Sequence, residues 1–402
     1  MTPVEMLREL QKEANKVAKY DVPSAEDKIA KYEKYSNLLR LHGHSNEVMD
    51  MFHKQLEEAI NILPTEYQEL GTYNILMQLF LDLEKVIKSD VFRAELKDSI
   101  ELKPIPTFGT VPLSTFSAFI TPTDNASMPL IVFSEKFFIF AHLISEAVGM
   151  GFYIFNSDDN MITITAQHDS LKEHISQNPI VMARSLDLLF AYALLDDPSI
   201  TKHRFNTKFP SKYNEKIAIM LHKGFELFVV AHEYAHYLLG HTGLRNIDEL
   251  LHGVHSSDCE EKYVDEIAAD TLGAVLSSYH FLIEDSEYKP LSFLGAYLCI
   301  HCLGMLNKIN NLKLGRDEDY HFSDTHPNSE IRRMFLRESV VGNDEMTLTF
   351  FDIIDFIISQ IWEEFKKIWN EGIEIYGDSF MDKSLSREMF EDVQSEIYER
   401  YI

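Results

Sequence analysis

The chain has few of the features that mark secreted or membrane-spanning proteins. It contains three cysteines in 402 residues, too few for a disulfide framework in a protein of this length. Its longest apolar run, about 291–306, is shorter than the ~20 residues that span a bilayer. The first residues show no basic stretch followed by an apolar one, so we predict no signal peptide. We therefore expect a cytoplasmic protein without membrane insertion.

Basic residues are also scarce relative to acidic ones. Lys and Arg total 37, whereas Asp and Glu total 64, and the formal net charge is -27. A surface of this sign repels phosphate backbones and anionic membranes, so we expect no nucleic-acid partner. The hydrophobic fraction of 45% is that of an ordinary globular protein.

The hydrophobic pattern divides the chain into three predicted parts, and the predicted fold class is α+β and predominantly helical. Residues 1–103 have apolar positions spaced by three and four, which indicates helices. In 104–340, β-rich runs come first and long helical patterns follow. The β-rich runs are 115–120, 130–133, 152–155 and 161–165, and the helical patterns are 180–195, 216–239, about 260–280 and the apolar run near 291. Residues 341–402 are predicted to form a helical extension.

One helical pattern contains a metal-binding motif. His232, Glu233 and His236 form HExxH among apolar residues. Positions i and i+4 lie on one helix face, so both imidazoles can reach one cation. Zinc accepts imidazole nitrogen at ~2.0–2.1 Å, and three protein ligands leave one position for water. Glu233 is then placed beside that water and is the predicted general base. Gly240 is the predicted end of the helix.

The third ligand has two candidate pairs on the next helical pattern. Glu266 and Asp270 are four residues apart, and so are Glu261 and Asp265. We favour Glu266 because small and apolar residues follow it, whereas Glu261 lies among charged residues. Asp270 would then accept the free N–H of a ligating histidine.

A site with three histidines does not fit the spacing. The pattern HExxHxxGxxH needs glycine at 239 and histidine at 242, and the chain has Leu239 and Thr242. His241 comes one residue early, and a shift of one residue turns a side chain by ~100° around a helix, away from the site. We assign no role to His241 or to the nearby His252 and His255.

Together the motifs resemble those of the gluzincin metallopeptidases. HExxH followed by ExxAD at 266–270 is the pattern of that group. The segment DTHPNSEIR at 324–332 is similar to the S/D-T-H-P-x-x-x-x-R segment of HtpX and the CaaX prenyl proteases. Asn125-Ala126 followed by 129–134 loosely resembles their Asn-Ala turn and edge strand. Because those proteins are membrane-embedded, soluble Lit-type phage-exclusion peptidases and ImmA/IrrE-like regulators are equally close comparisons.

The resemblance implies a catalytic core made of an active-site helix and a small antiparallel sheet. It implies one zinc ion bound by His232, His236 and Glu266, with Glu233 as general base and Asp270 behind the ligands.

The resemblance also implies that His326 or a neighbour assists the transition state and that Arg332 anchors its segment. On the residues alone, Tyr320 and His321 stay open as alternatives to His326.

Two other motifs are interpreted as core. Cys299 and Cys302 form a single CxxC inside the apolar run, which favours buried thiols over a redox or metal site. The aromatic run 137–140 is likewise typical of core.

Three functional hypotheses follow from these observations. The first is hydrolysis of peptide bonds in a specific protein or peptide, extended against an edge strand at 130–133. The second is a sensor, a toxin-like protein or a phage-defence component whose peptidase stays latent until a regulatory protein binds. The third is a metal-binding interaction protein without catalysis. Glu233 argues against the third, because a structural site has no use for a carboxylate beside an open position.

Overall fold

The structure is a computed structural model of the chain. It describes residues 2–18, 63–96, 103–112, 118–122, 128–156, 162–201, 208–241, 259–284, 291–320, 327–342, 344–377, 380 and 385–402. The strands are β1 Thr107–Val111, β2 Ala118–Thr121, β3 Leu130–Ser134, β4 Ile154–Asn156 and β5 Ile162–Ile164.

Helices make up most of the described structure, so the predominantly helical α+β class is confirmed. They are α1 Pro3–Ala18, α2 Leu70–Lys88, α3 Asp90–Leu96, α4 Glu135–Gly151, α5 His168–Gln177, α6 Ile180–Leu195, α7 Lys212–Leu239, α8 Cys259–Glu284, α9 Leu294–Lys313, α10 Ser329–Phe335, α11 Glu345–Tyr376 and α12 Ser386–Tyr401. Within the described ranges, no helix by itself has the length and apolar character to cross a membrane. The pair α5 and α6 reaches that threshold only jointly, across an 81° bend.

The main sheet is mixed, so the expectation of an antiparallel sheet is wrong for it. Its order is β1-β3-β2, with β1 parallel and β2 antiparallel to β3. The chain passes through β2 before it returns as the central strand β3, and this order gives β1 and β3 the same direction. Leu130–Ser134 is therefore not an edge strand, and a substrate cannot pair with it as expected. Antiparallel pairing is present between β2 and β3 and in the separate hairpin of β4 and β5.

The HExxH helix α7 lies at the centre of the helical packing. The Ser211 side chain caps its first turn by accepting from the backbone N–H groups of Tyr213 and Asn214. The helix ends at Leu239, followed by Gly240 with φ 81° in the left-handed region. Helices α4, α8 and α9 all pack against it, and most of its second half is buried.

Two glycines set how closely the neighbouring helices approach α7. A Cβ added at Gly273 of α8 would lie 2.9 Å from the backbone nitrogen of His232. A Cβ at Gly295 of α9 would lie 2.1 Å from the carbonyl carbon of Gly224. Both distances are below van der Waals contact, so only glycine allows these crossings. The first crossing brings α8 against the backbone of His232.

One hydrophobic core joins the three predicted parts. A continuous cluster of buried side chains extends from Tyr73 in α2, through α4 and α7, to Phe365 in α11 and Ile397 in α12. The predicted boundaries at 103 and 340 therefore do not coincide with separate cores, and the three-part division stays a prediction. The aromatic run 137–140 belongs to this core, as expected.

Candidate metal centre

Three predicted ligands converge between α7 and α8. The Nε2 atoms of His232 and His236 are 3.2 Å apart. Carboxylate oxygens of Glu266 lie 3.5 Å from Nε2 of His232 and 3.5 Å from Nε2 of His236. All three side chains are buried, each less than a tenth exposed. Among the described residues, these three form the one group whose donor atoms are close enough to share a metal ion.

The spacing of the donor atoms fits a tetrahedral zinc site. Ligands ~2.0–2.1 Å from a tetrahedral zinc ion must be separated by about 3.3–3.4 Å from each other. The two Nε2 atoms are 3.2 Å apart, and each lies 3.5 Å from a different oxygen of Glu266, Oε2 for His232 and Oε1 for His236. Two imidazoles and one carboxylate are also a donor set found in catalytic zinc sites, where a fourth position is left for water. The residues present therefore fit the ion that the motif predicts.

Local sequence explains why Glu266 reaches the site. His232 and His236 are one helical turn apart, so their rings lie on the same face of α7. Gly273 brings the two helix backbones together near His232, and Glu266 lies two turns before Gly273 on the same face of α8. The side chain of the rival Glu261 lies outside the described residues.

A buried ion pair supports His232 from behind. Its Nδ1 lies 3.0 Å from Oδ1 of Asp270, and Arg332 of α10 donates from Nε and Nη2 to both oxygens of Asp270 at 2.6 Å. Asp270 and Arg332 are 5% and 6% exposed. Asp270 thus contacts the second nitrogen of a ligand histidine, as predicted. Arg332 does not contact the ligand itself in these hydrogen bonds but binds the carboxylate of Asp270.

The charges of this group shift its protonation equilibria. Burial alone would raise the pKa of Asp270, but the adjacent charge and hydrogen bonds of Arg332 lower it. Burial would lower the pKa of His232, yet its contacts with Asp270 and Glu266 raise it to about 10 in the metal-free protein. Asp270 is therefore ionised at neutral pH, as a carboxylate behind a metal ligand must be.

His241 contacts the other ligand, contrary to the expectation that it lies away from the site. Its Nδ1 is 3.2 Å from Nδ1 of His236, and its Nε2 is 3.2 Å from Oδ1 of Asp265. The expectation assumed that the helix continues past Leu239. Instead, the left-handed Gly240 reverses the chain, and the N–H of His241 donates to the carbonyl oxygen of His236 at 2.9 Å. The glycine at 240 could have indicated this position of His241. A glycine that ends a helix in the left-handed conformation turns the chain back, so the residue after it lies against the last helical turn.

Glu233 is the predicted general base of the motif. It lies next to His232 on α7 and is 7% exposed. Among the described residues, no side chain forms a hydrogen bond or an ion pair with its carboxylate.

The proposed transition-state residue lies outside the described residues. His326 belongs to the stretch 321–326, as does the alternative His321. Tyr320 is described, and its backbone carbonyl accepts from the Asn311 side chain at 2.6 Å. The role implied for His326 stays a prediction. The Asn125-Ala126 turn likewise lies outside the described residues.

The CxxC cysteines are core residues, as expected. Cys299 and Cys302 in α9 are free thiols with no exposed surface. Burial raises the pKa of both thiols, which keeps them protonated and unreactive.

Comparisons of the chain with protein-family models, with curated proteins and with solved structures found no match. The likeness to the gluzincins therefore depends on the motifs and on the geometry described above.

Proposed function

We propose that this protein is a zinc-dependent endopeptidase that hydrolyses peptide bonds in a specific protein substrate. The observation that carries the proposal is the convergence of His232, His236 and Glu266 at zinc-like spacing, with the buried residue Glu233 beside His232 in the chain. The gluzincin-like core, the single zinc ion and the roles of these residues belong to the same proposal.

His232, His236 and Glu266 would hold the zinc ion. When bound, zinc supplies Lewis acidity, which lowers the pKa of water and polarises a carbonyl group. Glu233 accepts one proton from the attacking water while the water oxygen adds to the peptide carbonyl carbon. Glu233 then returns this proton to the amine nitrogen as the C–N bond breaks, so the leaving group departs neutral. The two proton transfers leave Glu233 in its starting state.

The sheet offers a place for an extended substrate at β2. The outer edge of β1 is closed, because Gln11 donates to the carbonyl oxygen of Thr110 at 2.7 Å and Gln68 accepts from its N–H at 2.9 Å. Strand β3 is central. Strand β2, Ala118–Thr121, is the other edge and packs against α7. A substrate strand that pairs with β2 would gain main-chain hydrogen bonds beside the HExxH helix.

The test compares two matched glutamates of α7. Glu226 and Glu233 are both 7% exposed, so Glu226→Gln controls for placing a neutral amide in this helix. Purified wild type, Glu233→Gln and Glu226→Gln are assayed for bound zinc and for cleavage of a panel of unfolded proteins. We expect one zinc ion in all three, and a loss of cleavage of about 10²–10⁴-fold only in Glu233→Gln.

The contrary results are equally specific. Full cleavage by Glu233→Gln would contradict the role of Glu233. Zinc-loaded wild type that cleaves neither the panel nor proteins of its own host cell would contradict peptidase activity and leave a metal-binding role.

A further inference from the structure

The second ligand histidine has a support of its own, formed by a histidine and a carboxylate. His241 lies between His236 and Asp265, with a 3.2 Å contact on each ring nitrogen. The three side chains come from three positions: His236 from the last turn of α7, His241 from beyond its Gly240 cap, and Asp265 from α8. The contacts thus join the end of one ligand helix to the other.

Only one arrangement of hydrogens satisfies both contacts when His236 binds a metal through Nε2. A neutral imidazole that ligates through Nε2 carries its hydrogen on Nδ1. That N–H donates to Nδ1 of His241, which must then be an unprotonated acceptor. The hydrogen of His241 therefore lies on Nε2 and donates to the carboxylate of Asp265. In this arrangement each N–H group of the two histidines faces an acceptor.

We propose that His241 and Asp265 are positioning residues that fix the tautomer and ring orientation of His236 for metal binding. This inference rests on the proposed zinc site. Carboxylates that hold a ligating histidine through its second nitrogen raise the basicity of the ligand, and their loss typically weakens metal binding by ~10–100-fold. Here an imidazole transmits that effect from the carboxylate to the ligand. The peptide hydrogen bond from His241 to the carbonyl oxygen of His236 holds the ring at the required place.

A merely space-filling role for His241 makes a different prediction. The ring is 17% exposed and the Asp265 side chain 43% exposed, so neither is needed to fill the core. Phenylalanine at 241 would keep the ring volume and remove both nitrogens. Glutamine at 241 has a carbonyl oxygen that accepts from His236 and an amide N–H that donates to Asp265. The two substitutions therefore separate hydrogen bonding from packing.

The experiment measures zinc dissociation constants by competition with a chelator, using the full chain. His241→Phe and Asp265→Ala should weaken zinc binding by ~10–100-fold, and His241→Gln should recover most of that loss. Glu215→Gln, an exposed substitution in the first turn of α7, is the control and should bind zinc like wild type. The double variant His241→Phe/Asp265→Ala should lose little more than His241→Phe alone, because both substitutions break one chain of contacts.

A second measurement reports the tautomers directly. Nitrogen-15 NMR of the histidine rings in the zinc-loaded protein should show the hydrogen of His236 on Nδ1 and that of His241 on Nε2. This readout does not depend on peptidase activity or on the stability of a variant. A His241 hydrogen on Nδ1 would overturn the inference.

The outcomes separate this inference from the proposed function. If wild type binds zinc and His236→Ala abolishes binding, but His241→Phe and Asp265→Ala both bind zinc within twofold of wild type, the support is refuted and the zinc site stands. If wild type itself binds no zinc, both the support and the proposed function are refuted.

Discussion

His232 and His236 are one helical turn apart, yet they are supported in two different ways. Behind His232, Asp270 is buried and held by two hydrogen bonds from Arg332. Behind His236, the contact passes through His241 to Asp265, whose side chain is 43% exposed. One ligand is thus fixed by a buried ion pair, and the other by a contact at the protein surface.

The comparison separates stability from metal binding. Removing one partner of a buried ion pair leaves an uncompensated charge and is costly, whereas an exposed ionic contact is worth little. The ion pair of Asp270 and Arg332 therefore both orients the ligand His232 and stabilises the fold, because Arg332 joins α10 to α8. The support of His236 can affect metal binding with little effect on folding. The predictions that follow test this division, from the largest expected effect to the smallest.

Arg332→Met should cause the largest loss of stability. It keeps the length of the side chain but leaves Asp270 as a buried, unpaired carboxylate, at a cost of about 3–5 kcal/mol in the free energy of unfolding. Denaturant unfolding of the metal-free protein measures this loss. Arg387→Met is the control, because the Arg387 side chain is 87% exposed, and it should change stability by less than about 0.5 kcal/mol. A small effect of Arg332→Met would remove the distinction between the two supports.

Acid should abolish the contribution of Asp270 in a defined direction. Since the folded-state pKa of Asp270 is lowered, its stabilisation is fully present above the unfolded pKa of about 3.9 and is lost as the pH falls through the folded value. Below about pH 5, where His232 is already protonated in the unfolded chain, the stability difference between metal-free wild type and Asp270→Asn should therefore shrink as the pH falls. A difference that grows as the pH falls below about 5 would contradict the assigned charge state of Asp270.

Gly273→Ala should destabilise the protein although alanine favours helices. Helix propensity alone would stabilise by about 1 kcal/mol, but the added Cβ would lie 2.9 Å from the His232 backbone nitrogen. We expect a net loss of about 1–3 kcal/mol and weaker zinc binding, measured by denaturant unfolding and chelator competition. Thr271→Ala on the same helix is the control, because the Thr271 hydroxyl donates to the carbonyl oxygen of Ile267 within α8. A net gain in stability from Gly273→Ala would show that α7 and α8 can separate without affecting the site.

Asp265→Asn should have the smallest effect on stability. The Asp265 side chain is nearly half exposed, so its contact with His241 should contribute less than about 1 kcal/mol to the free energy of unfolding. Thermal unfolding in the presence of a chelator measures this change. A loss as large as that of Arg332→Met would show that both supports serve folding equally.

The residue pattern was sufficient to predict the local parts of the site. The spacing of His232 and His236 places both rings on one face of a helix. The small and apolar residues after Glu266 were the reason to favour it as the third ligand, and one of them, Gly273, is where α8 approaches α7 most closely at His232. The apolar periodicity also predicted α6, α7 and α8 to within about four residues of their observed ends. In each case the information lies within about two helical turns, where period and residue size act directly.

The parts that were missed depend on contacts between distant or reversed segments. Strand β1 was not predicted, and the parallel pairing of Thr107–Val111 with β3 has no local signal, because register and strand order are set by tertiary packing. The position of His241 was wrong because a continuous helix was assumed past Gly240. The ion pair of Arg332 with Asp270 joins residues 62 positions apart, so the spacing of neither residue indicates it.

The most direct test of the account is a crystal structure of the zinc-loaded protein with an anomalous difference map at the zinc absorption edge. We predict a single strong peak at ~2.0–2.1 Å from Nε2 of His232, Nε2 of His236 and a carboxylate oxygen of Glu266. No peak between these three side chains, or a zinc ion there with Glu266 turned away from it, would contradict the account.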